Sequence, residues 1–225
     1  MRIPKPLHSW NVTPKKAVSL QRRLADRIIQ DPLARRPQYV AGGDIALTPD
    51  GKRLVAAWII WDLNRRTQLE AVHVVSELSF PYVPGLLSFR EAPAMINAAR
   101  KLNTEPDLFM LDGHGLAHPR RLGLASHVGL FLDRPTLGCA KSRLCGSHRE
   151  PGPKRGANVR LLDDGEIVGR VVRSRVGVKP IYVSVGHRIT LDEAARIALA
   201  CTQGYRIPEP TRLAHHYVTA LRSSV

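Results

Sequence analysis

Leu108-Phe-Met-Leu-Asp-Gly-His-Gly-Leu-Ala-His-Pro-Arg-Arg-Leu-Gly123 reads as a short buried strand running into a basic loop. The apolar run ends on Asp112, and glycines at 113 and 115 stop it at once. His114, His118, Arg120 and Arg121 then crowd together. A strand that delivers a carboxylate to its carboxyl-terminal end, ahead of a glycine-loosened basic loop, can hold a divalent metal beside a phosphate. The same residues also suit an Asp-Gly turn with a solvated basic face. The surrounding sequence favours the first reading.

Upstream, residues 39–47, 54–63 and 68–78 read as successive strands, the last two joined around Asn64-Arg65-Arg66, and together they suggest a meander. Before them, residues 17–30 form an amphipathic helix pattern with Leu20, Leu24 and Ile28 on one face. Asp31-Pro-Leu-Ala-Arg-Arg-Pro37 breaks it. Phe80-Pro-Tyr-Val-Pro-Gly85 is a proline-stiffened turn leading into a helix that reaches about Leu102. Residues 107–111 are the fourth strand.

Downstream, residues 128–133 and 136–140 are apolar enough for strand or buried helix, and 145–158 read as a flexible surface loop. A hairpin over 159–172 turns at Asp163-Asp164-Gly165, and 181–185 is a further strand. Thr190-Leu-Asp-Glu193 is a capping-box pattern opening a helix to about Cys201, and a last helix starts near Pro210. This order predicts an α/β fold, a mixed β-sheet with helices packed on both faces, in a single domain over residues 1–225. It fits the ribonuclease-H-like class, as well as several other α/β folds.

At 225 residues with 44% hydrophobic content, the chain can bury a substantial core. Lys+Arg 34 against Asp+Glu 19 leaves +15, a field that favours polyanions, nucleic acid first. Arginine dominates the basic set, which suits bidentate phosphate contacts. Cys139, Cys145 and Cys201 show no metal-type spacing and cannot all pair internally, so a reduced, cytoplasmic setting is expected. The longest strongly apolar run, residues 54–61, is too short for a bilayer, and no membrane partner is expected.

Asp44, Glu91 and Asp112 are the candidate metal carboxylates, because oxygen ligands on converging elements suit Mg2+ or Mn2+. Each has a structural alternative. Asp44 follows two glycines and could be a bulge or turn aspartate. Glu91 stands three residues after Ser88 and could complete a capping box, and Pro93, best tolerated in a first turn, would put Glu91 near its helix start. On the last helix, Leu213, Tyr217, Ala220 and Leu221 form the apolar arc, so His215 points to solvent or to a polar cleft while His216 flanks the arc. Lys141 either neutralises a phosphate or marks a strand exit. Tyr82, held between Pro81 and Pro84, is either core or a rigidly mounted wedge for a strand of bases.

Taken together, these segments resemble the endonuclease V family of deaminated-base nucleases. The resemblance runs through Tyr39-Val-Ala-Gly-Gly-Asp44 and Phe80-Pro-Tyr-Val-Pro-Gly-Leu-Leu-Ser-Phe-Arg-Glu91. It continues through Asp112 to His127, Pro135-Thr-Leu-Gly-Cys-Ala-Lys-Ser-Arg-Leu144 and Tyr205-Arg-Ile-Pro-Glu-Pro-Thr-Arg-Leu-Ala-His215. It implies a ribonuclease-H-like fold and Mg2+- or Mn2+-dependent nicking of the second phosphodiester on the 3′ side of deoxyinosine. By the same resemblance Asp44, Glu91 and Asp112 are the metal carboxylates, His215 the active-site histidine and Lys141 the phosphate-side lysine. Tyr82 matches the wedge, and Gly85, Leu87, Gly113 and His118 fall where the hypoxanthine pocket is lined. Gly43 departs from the pattern, standing where a bulkier apolar residue is usual and loosening the expected hold on Asp44.

The expected substrate is inosine-containing DNA cut by a monomeric enzyme. Two other readings stay open on the sequence: the same chemistry directed at inosine in RNA, and a non-catalytic basic module whose acidic residues are turns and caps.

Overall fold

Antiparallel pairing of β1 (Tyr39–Leu47), β2 (Arg53–Asp62) and β3 (Thr67–Glu77) makes the meander that the alternation predicts. The computed structural model describes residues 1–225. β4 (Leu108–Leu111) joins β1 in parallel, and β5 (Thr136–Ala140) joins β4 in parallel. The hairpin of β6 (Asn158–Asp163) and β7 (Glu166–Val172) and the strand β8 (Ile181–His187) complete an eight-stranded sheet in the order β3-β2-β1-β4-β5-β8-β7-β6.

Side chains alternate across the sheet, and helices cover both faces as expected. Ala41, Trp58, Phe109 and Leu111 pack against α2 (Leu87–Ala99) and α3 (Leu124–Leu132). Val40, Leu108, Met110 and Val183 pack on the other face with α4 (Leu191–Ala200). α5 (Glu209–Leu221) lies on that same face over β1 and β2, where Val218 meets Ala46, Val55 and Ala57. Pro210 can sit there because Gly42 has no side chain: a Cβ at Gly42 would collide with the Pro210 backbone. No helix is long and apolar enough to cross a membrane.

Several local expectations are corrected. α1 (Pro14–Ala25) starts before and ends well short of the predicted span, because Thr13 caps Lys16 N–H and Pro14 fits the first helical position. Pro93 lies inside α2, beyond its first turn, so Glu91 stands further along the helix than expected. The residues of α3 are all buried, which is why their apolar run did not separate helix from strand. On α5 the fully buried face is Ala214 and Val218, offset from the predicted arc, with Tyr217 and Leu221 only flanking it. The stretch 145–158 is irregular but tied down: Ser147 bridges Leu162, Arg155 donates to the Leu199 carbonyl, and Arg173 donates to the Gly152 and Pro151 carbonyls. The capping box at Thr190 and Glu193 forms as predicted.

Candidate active site

β1 and β4 stay in register only as far as Gly43 and Leu111. Asp44 and Asp112 are the next residues on each strand, so they emerge where the sheet stops being paired on that side. Groups from both faces can reach this edge. The Gly43 carbonyl accepts the Asp112 amide at 3.2 Å, which fixes one strand end against the other. Asp44 is an in-register strand residue opposite Ala57, not a bulge or a turn. Gly43 does not leave a hole beneath it, because the Met95 methyl and the Trp58 ring fill the space a side chain would need.

Glu91 comes from α2. The Trp58 indole donates to the Met95 carbonyl at 2.9 Å and so pins this helix to β2. The Ser88–Glu91 capping box does not form: α2 has no side-chain cap, and the Ser88 hydroxyl bonds His127 Nδ1 at 2.9 Å. Burial pushes the Glu91 carboxyl up to about 7, with the charges of Asp44 and Asp112 adding to it and Arg90 opposing. Asp44 is raised by the same burial and by Asp112, against a backbone hydrogen bond from Ile45 and the contact with His215. The three carboxylates therefore sense one another, in surroundings too dry to hold three negative charges unaided.

Two basic side chains meet them. Lys141, just past β5, places Nζ at 2.5 Å from Asp112 Oδ2. His215 on α5 places Nδ1 at 2.7 Å from Asp44 Oδ2, with its side chain 52% exposed at the mouth of the cleft. His215 thus faces a polar cleft, as one of its two expected orientations required, while His216 is exposed. As the side chains stand, no three His, Cys, Asp or Glu form a ligating group, since Lys141 and His215 take oxygens that an ion would use. The donor set still fits a hard divalent cation. It is all oxygen and partly buried, and burial together with the neighbouring carboxylates raises the pKa of Asp44 and Glu91.

Of the predicted pocket residues, His118 meets Gly85 directly. Gly85 has φ +77°, in the left-handed region, and its oxygen accepts from Arg120 Nη2 at 2.6 Å, Gln21 Nε2 at 2.9 Å and His118 Nε2 at 3.1 Å. The Arg120 amide donates to His118 Nδ1 at 3.1 Å, so His118 is the Nε2–H tautomer with both nitrogens engaged. Burial and the neighbouring Arg120 push its pKa down to about 4, which keeps it neutral. Leu87 is exposed and Gly113 half-buried. A Cβ at Gly113 would make only ordinary contacts with Leu124. Tyr82 is 68% exposed, with the Arg90 guanidinium 5.9 Å from its ring centre, so it is not core.

Some supporting residues escaped the sequence reading. Gln21 is fully buried on the packed face of α1, joining Gly85, Leu122 and Arg120. A glutamine inside the stripe Ala17, Leu20, Leu24 was its available signal. His127 bridges Ser88 to His8, whose Nε2 lies 2.8 Å from His127 Nε2. His8 Nδ1 donates to the Ser9 carbonyl, so in the neutral chain His127 donates to His8 and accepts from Ser88. A cavity of about 1030 Å3, lined by Arg36, Arg66 and Arg196 among others, opens at the other end of the strands, beside Pro37 and Leu63.

A family model described as Endonuclease V matches residues 22–216. The chain is 48% identical over 223 residues to the endonuclease V of Gloeobacter violaceus, covering 97% of this chain and 90% of that protein. Among solved structures, the endonuclease V of Streptomyces avermitilis superposes with a TM-score of 0.90 at 42% identity, covering 95% of this chain and 94% of that one. The Ciona intestinalis endonuclease V, in complex with a 23mer DNA containing an inosine followed by a ribo-adenosine, gives a TM-score of 0.81 at 30% identity, covering 94% and 98%.

Proposed function

The chain belongs to the endonuclease V family, and on that premise we propose that it nicks DNA at the second phosphodiester bond 3′ of a deoxyinosine, using Mg2+. It is a nuclease of ribonuclease-H-like fold, a hydrolase of phosphodiester bonds, and nucleases of this family typically need a divalent metal. The observation that carries the reading is the convergence of Asp44, Glu91 and Asp112 at the open strand edge, where burial and neighbouring carboxylates raise the pKa of Asp44 and Glu91. Such a site gains most from a bound dication.

Asp44, Glu91 and Asp112 would hold the ion. When bound, it supplies charge neutralisation at the scissile phosphate and a lowered pKa for the attacking water. Glu91, whose carboxyl is pushed up to about 7, would serve as a ligand in its ionised form, its proton passing to solvent. His215 holds Asp44 through Nδ1 and keeps its ring at the cleft mouth, within reach of incoming phosphate or water. Lys141, half-exposed, releases Asp112 and turns its charge to the phosphate, where developing negative charge is best stabilised. The base leaves the helix, the exposed Tyr82 ring fills its place, and Gly85, Leu87, Gly113 and His118 line the space that receives it. His118 serves there by bracing the Gly85 carbonyl, since both its ring nitrogens are engaged.

The test is a labelled duplex carrying one inosine, incubated with wild type or Asp112→Asn in Mg2+ or in EDTA. The expected result is one nick, immediately 3′ of the nucleotide that follows inosine, from wild type in Mg2+ only, with Asp112→Asn still binding the lesion. Cleavage in EDTA, full activity of Asp112→Asn, or equal cutting of a lesion-free duplex refutes the proposal. The Ciona complexes carry a ribo-adenosine after the inosine, so a matched RNA arm measures sugar preference.

A further inference from the structure

A cleft of about 550 Å3 opens beyond Lys141, bounded by Ser142, Arg143, Lys179, Tyr182 and Arg206. Its volume is within the range of roughly 300–1,000 Å3 of ordinary ligand pockets. It lies at the end of β5 and the start of β8, where Ala140 pairs with Tyr182. Only Lys141 separates it from Asp112.

The arginines of the cleft fall into two groups. Arg206 donates Nη2 to the carbonyls of Lys141 and Pro180 and Nε to that of Lys179, so it braces the walls. Arg173 does the same from below, bonding the carbonyls of Val178 and Pro151 and matching the charge of Glu150. Arg143 and Lys179 are exposed on the rim, and neither side chain has an ion-pair partner. Backbone-fixed walls with two uncommitted cations, continuous with a third at the reaction edge, are the makings of a phosphate track.

The 112–123 loop gives the track a direction. His118, toward one end, bonds the Gly85 carbonyl and belongs to the proposed base pocket. His114, toward the other, has Nε2 3.0 Å from the Ser142 carbonyl and belongs to the cleft. Asp112, which opens the loop, is bonded to Lys141 on the cleft wall. A strand with its inosine beside Gly85 and its second 3′ bond at Asp112 continues over Lys141. We infer that this cleft binds the phosphates of the strand on the 3′ side of the cut, with Arg143 and Lys179 as its contacts. The direction rests on the inosine-nuclease reading, whereas the phosphate affinity of the cleft does not.

The experiment uses single strands with one inosine in two series, one lengthening the 3′ flank beyond the cut at constant 5′ flank, the other the reverse. KM is read from cleavage and affinity from fluorescence anisotropy in EDTA. For wild type, affinity should rise as the 3′ flank extends past the cut. The Arg143→Glu/Lys179→Glu double variant should lose about tenfold of that gain at low salt. It should converge with wild type on strands truncated just past the cut, and Arg143→Lys should keep the gain. The slope of log affinity against log salt should fall by about 1.4 for two lost single-strand contacts. Equal losses in both series, or no loss in the 3′ series, overturn the inference, and a melting curve identifies a misfolded variant. If wild type cuts no inosine strand, the substrate reading fails and the direction with it. A lesion-free 5′-phosphorylated strand then reads the cleft alone, and unchanged binding by the double variant overturns the cleft itself.

Discussion

Glu91→Gln should make the metal-free protein more stable at alkaline pH while ending cleavage. The Glu91 carboxyl rises from an ordinary 4.5 to about 7, first through burial and then through the charges of Asp44 and Asp112. At about 1.4 kcal/mol per pH unit, that difference amounts to roughly 3 kcal/mol between the folded and unfolded chains. The sign follows from which state holds the proton. Below pH 4.5 both states keep it, and Glu91 contributes nothing. Between 4.5 and 7 the unfolded chain ionises first, so stability falls as pH rises; above 7 the full penalty applies. Glutamine cannot ionise, so the difference between variant and wild type should grow by about 3 kcal/mol from pH 5 to 8.5. Urea unfolding in EDTA across that range measures it, and for a chain of this length it corresponds to roughly 6–12 °C in melting temperature. A buried amide with a missing partner shifts all pH values alike, so the slope of the difference is the diagnostic quantity. Mg2+ should then stabilise wild type more at pH 8 than at pH 6, and the variant little at either. Parallel stability curves would refute the reasoning, because they would mean that Glu91 is ionised and matched within the fold.

Tyr82→Ala should leave the melting temperature unchanged, since the ring is exposed, yet weaken binding to duplex inosine DNA more than to single-stranded inosine DNA; equal losses on the two would remove the wedge role. His215→Ala should slow single-turnover cleavage, whereas His216→Ala, exposed beside it, should cut at the wild-type rate; the reverse order would contradict the contact with Asp44. Gly113→Ala should fold normally and lose lesion affinity, because only ordinary contacts await a Cβ there, while Gly138→Ala should lower the melting temperature by driving a methyl into the backbone of Gly113 and Gly115; thermal melts paired with affinity measurements separate the two.

The strands were legible because β-branched and aromatic runs between turn residues leave few alternatives, and β1 is found at the predicted bounds. Legibility failed where periodicity carried no information. Leu124–Leu132 is buried all round, so no polar face marked it as helical. On α5 the apolar pattern selected the large residues Leu213 and Tyr217, whereas packing selected the small ones. Pro210 rests on Gly42, and Ala214 then continues the close approach to the sheet. Hydrophobic patterning weighs side chains by size, while helix-to-sheet distance is set by those small enough to allow contact.

The carboxylates stand in motifs that a sequence displays; their supports do not. Gln21 acts on Gly85 and Leu122, and His8 acts on His127, across separations that no local pattern encodes. These hidden contacts divide the site into two electrostatic regimes on either side of the 112–123 loop. Toward Gly85, burial and Arg120 hold His118 neutral down to about pH 4, and its bonds go to the backbone. At the strand edge, burial raises the Asp44 and Glu91 carboxyls, whose charge a bound ion would require. A neutral imidazole bracing a carbonyl is indifferent to pH through the physiological range, and a carboxyl near 7 is not. On the proposed roles, lesion recognition and metal uptake should titrate separately, with Glu91 setting the acid limb of activity.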